Sequence, residues 1–235
     1  MRLVGVGVGP GDPELVTVKA VRELREAAVV FVPVTDTGEV GRAEATVRSY
    51  VDGSSVRRLR FAIHDDDART TAWDRAGAEV AEALQHGTAA FATIGDPNVY
   101  STFTYLAGTV RDLLPEVEIS TVPGITAMQD LAARSGTVLV EGTETLALLP
   151  FTAGEQVLAQ ALATFDTVVA YKGGRSFEAV LDVVRRAGRI DEAVYGARLG
   201  LDGEQVQRAA EHIGPAHYLS TLLVPAKRTG RGGRL

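Results

Sequence analysis

Residues 4–15 read VGVGVGPGDPEL, and this stretch decides the fold. Residues 2–8 alternate apolar side chains with small ones, the pattern of a buried strand. Gly9, Pro10 and Gly11 then force a tight exit from that strand. Asp12 is a good helix N-cap and Pro13 suits a first helical position. From Glu14 to Ala27 apolar residues recur with a helical period, at Leu15, Val18, Val21 and Leu24. The stretch is therefore a strand, a glycine-rich loop and a helix. Such a loop lets backbone N–H groups approach an anion or a cofactor. The dinucleotide fingerprint G-x-G-x-x-G fails in both registers, because the third glycine is Pro10 counted from Gly5 and Asp12 counted from Gly7. Asp36 lies near the spacing of a ribose-binding carboxylate, but the broken fingerprint opposes a nicotinamide cofactor. The plainest alternative is a tight turn with no ligand.

Working outward, residues 28–33 read as a short buried strand, 41–51 as a helix and 55–62 as a strand. A long helix is expected at 66–85, closed by Gly87, then a strand at 88–94 and a helix at 99–114. This alternation predicts an α/β domain, an open and largely parallel sheet with helices on both faces. After a strand at 116–122 and a helix at 126–134 the rhythm changes. Four strand-like runs follow, at 145–150, 166–173, 192–200 and 217–225, with helices expected at 154–163, 176–187 and 204–212. Two α/β domains are expected, 1–115 with the glycine-rich loop and 116–226, and the basic, glycine-rich end 227–235 reads as a disordered tail.

Composition narrows the chemistry. Of 235 residues, 46% are hydrophobic and 23% charged, as in ordinary globular proteins. With no cysteine, disulfides, thiol nucleophiles, cysteine-held zinc and iron–sulfur clusters are excluded. His64, His86, His212 and His217 show no i,i+4 pair, so no metal site is expected. The N-terminus carries no signal-peptide pattern, and no apolar run reaches membrane-spanning length, so a cytoplasmic protein is expected. A net charge of −6 opposes a general nucleic-acid binder; neither nucleic acid nor membrane is an expected partner.

A second unusual loop, residues 94–102 (IGDPNVYST), also ends a strand. Two special loops at strand ends build the crevice where open α/β sheets bind ligands. Here the sequence resembles a known family. Residues 6–33, VGVGPGDPELVTVKAVRELREAAVVFVP, are similar to the N-terminal signature of the tetrapyrrole methylases. Residues 95–106 (GDPNVYSTFTYL) and 122–133 (VPGITAMQDLAA) resemble its second and third blocks. The YSTF extension, VLVEGTETLALLP (138–150) and LGLDGEQV (199–206) resemble the precorrin-2 C20-methyltransferase subgroup. The resemblance runs from about Arg2 to Val224. It implies two α/β domains with S-adenosylmethionine in a cleft between them, not a Rossmann-like fold, and a homodimer. It implies methylation of precorrin-2 at C20 on the route to cobalamin, with S-adenosylhomocysteine as product. Cobalt-factor II, another ring carbon, a nicotinamide-dependent oxidoreductase and a non-catalytic binding protein are the alternatives.

The resemblance assigns cofactor positions at Pro10, Ile94, Gly95, Asp96, Ser101, Thr102, Thr126, Ala127, Tyr171, Lys172, Leu199 and Thr221. Asp12 borders the active-site trough on the same reading; Asp12 as a cap and Asp96 as a loop cap are the structural alternatives. The implied substrate carries eight carboxylates and needs local cations despite the acidic total. Arg57, Arg60 and Arg175 are the principal candidates, with Arg58, Lys172 and Arg198 behind them, since arginine forks match carboxylates. The alternative is that Arg57, Arg58 and Arg60 solvate an edge strand. Methyl transfer from a sulfonium needs in-line alignment and no acid for the leaving group. A base must take the C20 proton; Tyr100, Asp96 and His64 are the candidates.

Overall fold

The computed structural model describes residues 1–34, 40–61, 66–174, 177–228 and 230. They fall into two units, Met1–Thr126 and Ala127–Leu235. The first unit holds β1 (Arg2–Gly7), α1 (Val18–Glu26), β2 (Val29–Val34), α2 (Arg42–Val47), β3 (Val56–Arg60), α3 (Asp66–Leu84), β4 (Thr88–Thr93), α4 (Phe103–Leu113) and β5 (Glu118–Val122). Its strands pair in parallel, in the order β3-β2-β4-β1-β5.

Because side chains alternate along a strand, this one sheet builds two cores. Val4, Val6, Val30, Val32, Ala90 and Ala92 pack with α1 and α2 through Leu24 and Val47. Leu3, Phe31, Leu59 and Phe91 pack with α3 and α4 through Leu84, Phe103 and Leu106. The glycines of β1 lie on this second side. A Cβ on Gly5 would fall 2.5 Å from the Phe103 ring, and one on Gly7 would fall 2.6 Å from the backbone of Gly95 and Gly124. The Val–Gly alternation is thus a packing requirement: valines fill one face, and glycines admit a ring and two loops on the other. The chain leaves β1 toward β2 on one side and β4 toward β5 on the other. A crevice therefore opens between the C-terminal ends of β1 and β4, the switch point of the sheet.

The second unit holds α5 (Ala127–Ser135), β6 (Leu146–Pro150), α6 (Glu155–Thr164), β7 (Thr167–Tyr171), α7 (Phe177–Arg186), β8 (Val194–Ala197), β9 (Gln205–Arg208) and β10 (Ser220–Val224). Its sheet is mixed, ordered β6-β7-β10-β8-β9, with β6 and β7 parallel and the other pairs antiparallel. Leu158, Phe177, Leu181, Tyr195 and Leu222 pack on one face with α6 and α7. Leu131, Val169, Leu199 and Leu223 pack on the other with α5.

Several expectations are corrected. The boundary expected at 115/116 lies after Thr126, because β5 pairs along β1 and belongs to the first sheet. Asp12 caps only a 3-10 turn, Pro13–Leu15; Val16 is extended, and α1 starts at Val18 with the Thr17 hydroxyl accepting from Ala20 N–H at 3.2 Å. The helix expected from 99 starts at Phe103, since Tyr100 sits at φ +50, outside helical space. The helix expected at 204–212 is β9 followed by a 3-10 turn, Ala209–Glu211. Gly203, at φ +76, turns the chain back onto β8, and that pairing overrides a helix-favouring composition. Of the tail, Arg228 is anchored by Glu144 and, at 3.2 Å, by Glu141, while 229 and 231–235 lie outside the described residues.

Candidate active site

In the first unit, the loops after β1, β4 and β5 converge at the switch point. Val8 N–H donates to Thr93 C=O at 2.9 Å and Gly95 N–H to Gly9 C=O at 2.7 Å, joining the first loop to the second. Asp96 joins the second to the third: Oδ1 accepts from Asn98 N–H at 2.8 Å and Oδ2 from Gly124 N–H at 3.0 Å. The glycines here differ in kind. A Cβ on Gly124 would fall 2.1 Å from Gly95 O, against backbone, whereas one on Gly95 would meet nothing nearer than Thr126 Cα at 3.9 Å. Gly95, at φ +68, is thus left-handed and open on one side. From behind, the Tyr50 hydroxyl donates to Pro13 C=O at 2.5 Å and the Thr46 hydroxyl reaches Gly11 C=O at 3.3 Å, so α2 and its continuation brace the glycine-rich loop. Pro10 is buried in that loop, and Asp12 Oδ1 accepts from Glu14 N–H at 2.9 Å.

Ile94 and Gly95 lie half-buried at the exit of β4. Ser101 Oγ donates to Thr93 Oγ1 at 3.0 Å and accepts from Phe103 N–H at 3.1 Å, which fixes the start of α4; Thr102 is its N-cap residue. Both carboxylate oxygens of Asp96 serve backbone amides and so tie the β4 loop to Gly124. Burial pushes the Tyr100 hydroxyl pKa up, so at neutral pH Tyr100 is a phenol, a donor and a poor proton acceptor. Thr126, buried, is the last residue of this unit.

In the second unit, the Tyr171 hydroxyl accepts from Met128 N–H at 2.8 Å, satisfying an otherwise open amide at the start of α5. Ala127 and Tyr171 are thereby brought together. Thr221 pairs with Tyr171 across β10 and β7 and is buried; Lys172 follows at φ +63. Leu199 packs into the core beside Leu131 and Val169.

The arginines separate. Arg57 and Arg60 are three apart on one strand and point to opposite faces of β3, so they do not form one cluster. Arg58 is committed to Glu44, with Nε 2.7 Å and Nη2 3.0 Å from its carboxylate, which Arg48 also reaches at 2.7 Å. Burial raises the Glu44 pKa, but the two guanidinium partners outweigh it and hold the carboxyl below its ordinary value. Arg175, His64 and Asp36 lie outside the described residues. Sequence reasoning missed Gly7 and Gly124 as the closed contacts of the crevice; the Pro123-Gly124 pair was the signal that carried the second. Among the described residues, no group of three or more His, Cys, Asp or Glu could hold a metal ion, and no helix is long and apolar enough to cross a membrane.

Comparison with known proteins gives a consistent result. The profile of the Tetrapyrrole (Corrin/Porphyrin) Methylases matches residues 2–212. A precorrin-2 C(20)-methyltransferase from Sinorhizobium sp is 34% identical over 236 residues, covering 95% of each chain. A cobalt-precorrin-2 C(20)-methyltransferase from Salmonella typhimurium is 31% identical over 230 residues, again 95% of each. Among solved structures, a uroporphyrin-III C-methyl transferase from Thermus thermophilus complexed with S-adenyl homocysteine superimposes with a TM-score of 0.68 at 22% identity, covering 95% of this chain and 97% of that one. With its glycine-rich loops at the switch point of a parallel sheet and this similarity over nearly its whole length, the chain belongs to the tetrapyrrole (corrin/porphyrin) methylases.

Proposed function

We propose that the protein transfers the methyl group of S-adenosylmethionine to C20 of precorrin-2, giving precorrin-3A in cobalamin synthesis. The carrying observation is the 34% identity, over 95% of both chains, to a protein named for C20 methylation. The cofactor fits the first unit: Gly95 has an open side at the switch point, while the neighbouring Gly7 and Gly124 are sealed by backbone. S-adenosylmethionine supplies an electrophilic methyl on a sulfonium. The resemblance assigns contacts with it to Pro10, Ile94, Gly95, Thr102 and Thr126 of the first unit, and to Ala127, Tyr171, the backbone of Lys172, Leu199 and Thr221 of the second. Asp96 and Ser101 act one step back, holding the β4 loop to Gly124 and to α4. Asp12 borders the substrate trough. Tyr100, a phenol, orients by donating a hydrogen bond. Catalysis on this reading is alignment of carbon, methyl and sulfur.

On this reading the protein works as a homodimer, as its resemblance implies, with the cytoplasm as the expected compartment. The 31% identity to a cobalt-precorrin-2 enzyme favours the cobalt-loaded ring as a second reading. Incubation with labelled S-adenosylmethionine and either precorrin-2 or its cobalt form, followed by locating the label on the ring, tests both. Label at C20 of the metal-free ring is the expected result. Label at another carbon, or none on either ring, refutes the assignment.

A further inference from the structure

Among the described residues fifteen have a left-handed backbone, and twelve of these are glycines; the others are Tyr100, Lys172 and Arg198. An L side chain is strained in that conformation. Where the fold alone needs the turn, glycine serves, as at Gly174, Gly200 and Gly203 in the same two loops. Lys172 and Arg198 occupy matching places. One directly follows the last residue of β7, the other the last residue of β8. β10 lies between those strands: Thr221 pairs with Tyr171 on one side and Gly196 on the other, and Ser220 with Ala197. Both cations therefore leave the sheet at the same end, about 10 Å apart, two interstrand spacings. Arg198 is exposed, and its guanidinium makes no hydrogen bond or ion pair among the described residues. It lies along Gly203, where a Cβ would come within 3.5 Å of Cζ.

We propose that Lys172 and Arg198 form a paired carboxylate-binding site that grips two acid side chains of the tetrapyrrole; this rests on the C20-methylation reading. The strain is the argument. An exposed, unpaired arginine contributes little to the fold, and glycine at that position would relieve its backbone. A charge retained there against the backbone's preference serves a ligand. The other cations are less suited: Arg58 is held by Glu44, and Arg57 and Arg60 face opposite ways. A polycarboxylate ring presents more than one acid group along an edge, so two cations at this separation take two at once. Tyr171 and Thr221 stay paired across β7 and β10 in this arrangement, Tyr171 as the last residue of its strand and Thr221 as the second of its own.

The test uses Arg198→Asn and Lys172→Asn, because asparagine tolerates the left-handed backbone without the charge. Each variant should raise KM for precorrin-2 about tenfold or more, and in Arg198→Asn kcat should stay within about twofold, the signature of lost substrate binding. Affinity for S-adenosylhomocysteine, by calorimetry, should stay unchanged for Arg198→Asn, and Arg198→Lys should recover most of the KM. Arg198→Gly should melt no lower than the wild type while binding the ring as poorly as Arg198→Asn. A wild-type KM in Arg198→Asn, or a lowered melting temperature with normal KM in Arg198→Gly, overturns the proposal. Failure of the underlying reading looks different: the wild-type protein itself would place no methyl at C20.

Discussion

Alanine in place of Gly124 and of Gly95 separates a glycine needed by the fold from one needed by the ligand. At Gly124 the new Cβ would fall 2.1 Å from Gly95 O and 2.8 Å from Gly7 Cα, backbone atoms of the β4 loop and of β1. No rotamer change relieves such a contact. The β5 loop must back away from β1 and β4, taking with it the amide that Asp96 accepts from. The cost sits at the upper end of over-packing, about 3 kcal/mol. At Gly95 the nearest atom is 3.9 Å away, so only the left-handed backbone is penalised, by about 1 kcal/mol. At roughly 2–4 °C per kcal/mol for a chain of this size, Gly124→Ala should melt about 6–12 °C low and Gly95→Ala about 2–4 °C low. Calorimetry with S-adenosylhomocysteine should show the reverse ranking for the folded fraction. Gly95→Ala puts a methyl into the open side of the crevice and should weaken binding about tenfold, or 1.4 kcal/mol. A Gly124→Ala protein that melts with the wild type, or a Gly95→Ala protein with normal cofactor affinity, refutes the reasoning.

Glu44→Gln should cost about 1.5–3 kcal/mol near neutral pH in urea unfolding, the worth of hydrogen bonds to a charged group. Because the folded carboxyl titrates below 4.5, its stabilisation is complete above that value and is lost as pH falls through the folded pKa; the gap to the variant should close in acid, and a gap that persists there would contradict the ion-pair account. Asp96→Asn should lower stability by about 1–2 kcal/mol and weaken S-adenosylhomocysteine binding together; full stability with abolished turnover would instead make Asp96 the base. Leu131→Ala should cost roughly 2–5 kcal/mol. A Cβ on Gly196 would meet Leu131 Cδ1 at 2.6 Å, so Gly196→Ala and Leu131→Ala together should cost less than their sum, and strict additivity would rule out that contact.

The first unit was legible because its strands and helices follow local periods. The glycine-rich loop and the loop at 94–102 stand at strand ends in the structure as the pattern required. What was not legible depends on partners distant in sequence. Residues 205–208 carry a helix-like composition, and only pairing with β8 makes them a strand. Whether β5 closes the first sheet or opens the second is likewise fixed by β1, more than a hundred residues earlier in the chain. Asp12 had the right chemistry for a cap, but the extended Val16 that separates its turn from α1 leaves no local mark. Arg57 and Arg60 stand an odd number of residues apart on a predicted strand, which already sends them to opposite faces.

The alternating glycines of β1 also bear on how the chain survives its own synthesis. β1 is an interior strand of its sheet, flanked by β4 and β5, yet β4 begins 81 residues after Gly7, and β5 comes later still. At 5–20 residues per second, the nascent strand waits on the order of 4–16 s before its first lateral partner leaves the ribosome. A six-residue strand of valines held unpaired that long would be a template for self-association. Glycine at every second position removes one of the two faces such a strand would use to stack. The side chains missing so that Phe103 and two loops can approach are the same ones whose absence keeps the waiting strand a poor partner for another copy of itself.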